Sequence, residues 1–387
     1  MPEESPVSGP LAVPAVGKPL VLHVLRGSRI HPETGPPPAL KSMERTRART
    51  LDGALSDRDR FSALSWLLPI APGVVVSVLG MRLARRLGGE RPALIHCHSG
   101  IAAAALLQAG AARAPIVVSV GGGDLGRGVV GGWWVSVLKE IWREASAVIV
   151  EGARAASDVV SLACLPRKVH VVKPAVDLEA IARCGPRSDA SRAEDPRLSI
   201  LFAGPLVERQ GLSFALEAVA RLARRPPGVR LRILGRGPLE SASRALASHL
   251  GISSSVEFLG APGPGRLVEE LARVDTLVAP SRTAPDGDRE AGAPPAVLTA
   301  LAAAVPVVAS RHADIPDAVI DSRTGFLVEE GSAEALVVGL RRILNDPAFA
   351  REMGLAGRAL VEAEHDARKA AARLEEIYSF VLGERAP

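Results

Sequence analysis

Two doubly wound α/β domains in tandem are the fold class this sequence predicts, on three observations. Short, near-continuous runs of Val, Ile and Leu alternate with helical stretches, the pattern of strands covered on both faces of a parallel sheet. The alternation halts at one polar, turn-rich segment and then restarts. With 387 residues, 47% apolar and 23% charged, the chain is long enough for two cores and too apolar for disorder. Aromatics make up only 3%, so those cores must be built from Val, Leu, Ile and Ala.

The elements follow in order. Residues 1–17, rich in Pro, Gly and Ser, read as a loose tail. Leu20–Leu25 is a first strand. Ala93–Cys97 is another, followed by a small-residue helix over Ile101–Ala112. Pro115–Val120 is a strand ending in Gly121, Gly122 and Gly123. Trp133–Glu144 is helical, and Ala147–Val150 and Val169–Val172 are strands. The first domain is placed at 18–185. Arg183–Arg197, polar and turn-rich, is the linker. In the second domain, 186–365, strands are expected at Leu198–Ala203, Arg230–Leu234, Val256–Leu259, Thr276–Ala279 and Val305–Ala309. Helices alternate with them at Leu212–Arg224, Leu239–Leu250 and Ala333–Leu344. Ala348–Phe380 is helical with a break near Asp366, and residues 366–387 are expected to pack back toward the first domain. Two such arrays imply a cleft between them.

Composition narrows the function. Cys97, Cys164 and Cys184 lack metal-ligand spacing and read as reduced, buried thiols. No basic segment followed by an apolar run opens the chain, so a cytoplasmic location is expected. Ser62–Met81 carries no charge and is long enough to span a bilayer, but Pro69, Pro72 and Gly73 interrupt it, so it is assigned to buried core. Ala291–Ser310, equally uncharged, reads as a helix followed by a strand. Residues 1–185 hold 22 Lys/Arg against 15 Asp/Glu, a balance of +7 within a total of +5. That basic half suits anionic lipid at the inner membrane face or an anionic acceptor. Nucleic acid fits poorly, because bases would find almost no aromatic side chains to stack on.

Five motifs of the second array resemble the retaining glycosyltransferases of family 4, in order and in spacing. They are ILFAGPLVERQG (Ile200–Gly211), RILGRGPLE (Arg232–Glu240), VEFLG (Val256–Gly260), LVAPSRTAPDGDREAGAPPAVLTALAAAVPVVAS (Leu277–Ser310) and TGFLV (Thr324–Val328). APDGDRE and the loop after it most resemble the branch that builds exopolysaccharides. The first array is similar more weakly, through LVLHVLRGSRIHPETG, ALIHCHSG, VVSVGGGDL and KVHVVKPAVDLEAI. The resemblance implies a GT-B fold. It also implies a nucleotide-diphosphate sugar as donor, a saccharide, lipid-linked or natural-product acceptor, and no metal or other cofactor.

The resemblance also singles out positions, and several hold unusual residues. After Gly204 the family carries an Arg where this chain has Pro205, and a Lys where it has Gln210. Arg209, one residue earlier, is the remaining cation. Two glutamates eight apart are usual. Counting back from Thr299–Val308, the second falls on Thr299 and the first on Ala291, with Glu290 one residue early. A one-residue loop insertion restores Glu290 to the donor, and Thr299 then offers the ribose a hydroxyl. A His before Gly-x-Asp is replaced by glycine, leaving Asp124 either to face the ligand or to cap the next segment. His98 follows a strand on the acceptor side, and His96 is expected to face the other way. Gly235 and Gly237 suit close nucleotide approach, Gly292 falls in the Glu290 loop, and Arg282 and Asp288 are further donor contacts. Glu290, His98 and Asp124 are thus the catalytic candidates. No His/Cys/Asp/Glu cluster in the sequence argues for a metal.

Three functions fit the pattern. The first is sugar transfer through an altered site. The second is a catalytically silent relative acting as partner, scaffold or regulator, and the third an isomerase or epimerase of nucleotide sugars. The fold alone does not choose among them.

Overall fold

The computed structural model describes residues 19–26, 38–53, 72–87, 91–125, 132–181, 188, 194–224, 228–263, 265–290 and 292–383. The tail at 1–17, the first half of the uncharged run at 62–71, most of the 183–197 linker, Cys184 and Ala291 lie outside those residues.

The first sheet is built from β1 (Leu20–Arg26), β2 (Arg47–Gly53), β3 (Leu94–Cys97), β4 (Ile116–Ser119), β5 (Ala147–Val150) and β6 (Val169–Val171). All pairings are parallel, in the order β2-β1-β3-β4-β5-β6. The second sheet uses β7 (Leu198–Ala203), β8 (Val229–Leu234), β9 (Val256–Gly260), β10 (Thr276–Ala279), β11 (Val307–Ser310) and β12 (Gly325–Val328), in the order β12-β11-β10-β7-β8-β9. In both sheets the order reverses beside a central strand, and at such a switch point the carboxyl ends of the strands leave a crevice for ligands.

Strand alternation explains the two cores of the first domain. Leu22, Val24, Ile95, Cys97 and Val118 face one side, against α1 (Pro72–Leu87), α2 (Gly100–Gln108) and α3 (Gly132–Glu144). Val21, Leu94, Val117 and Ala147 face the other side. The latter half of the run Ser62–Met81 therefore forms a helix whose Val76 and Leu79 are buried in this core. Among the described residues, no helix is long and apolar enough to cross a membrane. The helix α4 (Ala153–Ser161) follows β5.

In the second domain the longer helices among the described residues are α5 (Leu212–Leu222), α6 (Glu240–His249), α7 (Arg266–Leu271), α8 (Pro295–Ala302), α9 (Ala333–Asn345) and α10 (Pro347–Glu364). At His365 the chain crosses to the first domain: the His365 N–H still donates to Val361, while its Nδ1 lies 2.8 Å from the Pro174 carbonyl. Asp366 then caps α11 (Ala367–Val381) by accepting the Arg368 N–H. This last helix buries Ala371, Leu374, Ile377 and Tyr378 against Val21, Leu94 and Val117 of the first sheet. Glu375, buried on the same helix, accepts the backbone N–H groups of Arg45 and Thr46 at 2.6 and 2.9 Å. A carboxylate so deep is tolerated because its Oε1 meets two N–H donors and the Thr46 hydroxyl.

Candidate functional site between the two sheets

The site lies where the carboxyl ends of the two sheets face each other. The loop after β7 supplies Arg209 and Gln210, and the loop after β10 supplies Asp288 and Glu290. Arg209 turns in: its Nε donates to Glu290 Oε1 at 2.8 Å and its Nη1 to Asp288 Oδ2 at 2.7 Å. Gln210 Nε2 donates to the same Glu290 oxygen at 2.5 Å. Burial works against the Arg209 charge, but the carboxylates of Glu290 and Asp288 outweigh it and raise its pKa further. Four side chains from two loops thus form one charged group, and Arg209 and Glu290 meet although each stands one residue from its expected place.

The glycines of the third loop have a packing reason. A Cβ on Gly235 would come within 1.9 Å of the Gly204 carbonyl oxygen, and one on Gly237 within 2.4 Å of the Leu206 oxygen. They let the two loops lie backbone to backbone. The Gly204 N–H is already engaged by the Leu234 carbonyl at 3.0 Å. Arg282 lies over the Phe214 ring and its Nε donates to the Thr283 carbonyl, while its backbone N–H donates to the Arg209 carbonyl at 2.8 Å and ties the two loops together. Thr299 hydrogen-bonds the Pro295 carbonyl of its own helix at 2.8 Å.

Residues that the sequence did not single out close the cleft. Glu290 N–H donates to His312 Nε2 at 3.2 Å, so that ring carries its proton on Nδ1, 2.9 Å from Glu330 Oε2. Asp314 reaches across the domains: its oxygens accept Arg154 N–H at 2.9 Å and Gly292 N–H at 3.2 Å. Arg289 pairs with Asp158 of the first domain at 2.5 Å, and Arg154 approaches the same carboxylate at 3.5 Å. Gly292 has φ +80°, and a Cβ there would meet Glu151 Oε2 at 2.0 Å. Glu151, just past β5, is raised to about 7 by burial, with Asp314 and then Glu290 pushing the same way. A cavity of about 730 Å³ opens beside these groups, lined by Arg154, Asp158, Arg289, Arg311, His312 and Glu330 among others. That volume is in the range of small-molecule sites. The signal for Glu151, His312 and Asp314 was available: each follows an apolar strand at its carboxyl end.

The first-domain candidates behave differently. Asp124 is buried, and its two oxygens accept Gly100 N–H at 3.0 Å and Gly121 N–H at 3.2 Å. It ties the start of α2 to the glycine loop, the capping alternative that the sequence left open beside a ligand-facing one. His96 does not face away from His98. Their rings stack with centroids 4.0 Å apart, because positions two apart on a strand share a face. Parallel pairing sets His23 opposite His96 as well. His23 Nδ1 lies 3.1 Å from His98 Nε2, and His96 contacts the Tyr378 and Ser119 hydroxyls at 2.7 Å each. Burial lowers His98 to about 3, with His23 adding to the effect, and lowers His23 to about 4. Three histidines that sequence spacing did not connect therefore form one cluster.

Known proteins share this organisation. The family described as Glycosyl transferases group 1 matches residues 187–360, and Glycosyltransferase Family 4 matches residues 48–180. The amylovoran biosynthesis glycosyltransferase AmsK of Erwinia amylovora is 30% identical over 219 residues, 57% of this chain and 52% of that protein. The matched region thus spans about half the length of that curated relative. Sucrose-phosphate synthase from Thermosynechococcus elongatus superposes with a TM-score of 0.74 at 18% identity, over 94% of this chain and 99% of that one. Anabaena HepE in complex with UDP-glucose superposes with a TM-score of 0.72 at 17% identity, over 94% and 100% of the two chains. At such identities the likeness is one of fold.

Proposed function

The chain belongs to glycosyltransferase family 4 and has its two-domain GT-B fold, and from that premise we propose that it transfers a sugar, with retention, from a nucleotide-diphosphate donor to a saccharide or lipid-linked acceptor. The observation that carries this reading is the convergence of Arg209, Gln210, Asp288 and Glu290 at the mouth of the cleft.

The chemistry is dissociative. As the bond from the anomeric carbon to the diphosphate oxygen breaks, negative charge grows on the leaving group. Arg209 supplies the counter-charge there, moving from its carboxylate partners to the phosphate oxygens. Glu290, freed of part of that pairing, orients the sugar. The acceptor hydroxyl attacks from the face the diphosphate leaves and gives its proton to the departing oxygen, which preserves the anomeric configuration. The cross-domain ties of Asp314 to Arg154 and of Arg289 to Asp158 keep the cleft closed while the cation forms, so water is excluded. The neutral His98 lies on the acceptor side and hydrogen-bonds an acceptor hydroxyl.

Thermal unfolding with and without UDP, GDP or ADP tests the donor half of the reading. A rise in melting temperature with one of them is expected, and it should shrink in Arg209→Ala. No shift with any of the three would remove the donor site and leave a silent two-domain relative.

A further inference from the structure

We propose that His23, His96 and His98 form a binding site for one divalent transition-metal ion of the zinc type, under the last helix of the chain and apart from the donor cleft. Each ring offers one nitrogen, and these atoms all lie within 4.8 Å of one another. The nearest pair, His23 Nδ1 and His98 Nε2, stands 3.1 Å apart. Two nitrogens held tetrahedrally at about 2.1 Å from zinc are separated by about 3.4 Å. One pair thus already stands near coordinating distance, and the His96 ring must rotate to join it.

Two further observations favour a cation here. His23 is fully buried, and its Nε2 has no hydrogen-bond partner. A buried nitrogen without a partner is costly, and the His23–His98 hydrogen bond leaves the pair with unused acceptor capacity. The outer shell is already built: His96 is held by the Tyr378 and Ser119 hydroxyls, and one of these bonds gives way to the metal while the other fixes the ring. Three imidazoles suit zinc, cobalt, nickel or copper, and not calcium or magnesium, which take oxygen ligands. His98, alone of the three, is partly exposed and offers the ion a way in. Tyr378 lies on α11, so a filled site tightens the docking of that helix on the first sheet.

The test needs no assay of sugar transfer, so it stands or falls separately from the donor reading. The untagged full chain is stripped with a chelator, incubated with zinc, freed of excess by gel filtration, and assayed for metal content. About one zinc per chain should remain, and zinc should raise the melting temperature. His98→Asn, at the partly exposed ring, should weaken retention at least about tenfold. Cobalt in the wild-type chain should give the visible absorption of a tetrahedral nitrogen-ligated ion, which decides the matter even where a variant folds poorly. No retained zinc and no such spectrum would overturn the proposal, as would equal retention in wild type and His98→Asn.

Discussion

The two domains present their polar groups to the cleft in opposite ways. On the second domain Arg209, Asp288 and Glu290 are charged, partly exposed, and paired with one another at 2.7 and 2.8 Å. On the first domain Asp124, His23 and His96 are buried, Asp124 tied to backbone N–H groups, His23 to His98, and His96 to the Tyr378 and Ser119 hydroxyls. The difference teaches a way to separate acting groups from holding groups. A side chain meant to stabilise developing charge must keep that charge and be able to reach the ligand. A side chain with all its lone pairs on backbone N–H groups at the starts of helices and loops sets the shape of the site instead.

The sharpest way to break this comparison is Arg209→Ala. If the second domain holds the acting cation, turnover with a sugar-nucleotide donor should fall by about 10²–10³-fold, or roughly 3–4 kcal/mol, with the fold kept. A loss under tenfold would move the counter-charge elsewhere, and Arg289 is the next guanidinium in the cleft. Glu151→Gln probes the seam between the two domains. The folded carboxyl sits at about 7, above its ordinary value, so the folded protein binds the extra proton between about 4.5 and 7. Its contribution to stability is therefore full below that window and lost as pH rises through it. The wild-type chain should lose on the order of 2 kcal/mol across that range. Glu151→Gln should remove most of the slope. An unchanged melting-temperature profile in the variant would detach Glu151 from closure.

Asp124→Ala tests the holding side. It leaves the buried N–H groups of Gly100 and Gly121 without their acceptor. A cost of about 1–2 kcal/mol in denaturant unfolding is expected, with nucleotide affinity kept within about twofold. A variant as stable as the wild type but without activity would return Asp124 to the reacting atoms.

What the sequence made legible follows from the range of each interaction. Strands such as Leu198–Ala203 and Ala147–Val150 announce themselves by local apolar runs, so most of both sheets could be read directly, whereas the edge strands β2, polar in RARTLDG, and β12 were not assigned as strands. The meeting of Arg209 with Glu290 was half legible, because motif order placed both loops at the ends of neighbouring strands. Asp314 with Arg154, and Arg289 with Asp158, depend on how one domain faces the other, and no local pattern encodes that. His23 with His96 depends on register: the two sit 73 positions apart and become neighbours only when β1 and β3 pair. The error over His96 was one of period, since a strand repeats every two residues and not every four.

The smallest expected effect is at Thr299, where the family's second carboxylate is replaced. Its hydroxyl is engaged by the Pro295 carbonyl one helical turn back. Such a bond within a helix adds little to stability. Thr299→Ala should therefore change unfolding free energy by less than about 0.5 kcal/mol and nucleotide affinity by less than about threefold. The informative partner is Thr299→Glu. A carboxylate at that position of α8 can accept two ribose hydroxyls where Thr299 offers one oxygen, and charge-assisted bonds are roughly twice as strong. If the second domain binds the nucleotide as the Arg209 group implies, Thr299→Glu should tighten nucleoside diphosphate binding by several-fold while Thr299→Ala leaves it nearly unchanged. Equal affinities in all three proteins would show that the ribose does not reach α8, and that the second domain's charged loops hold the diphosphate alone.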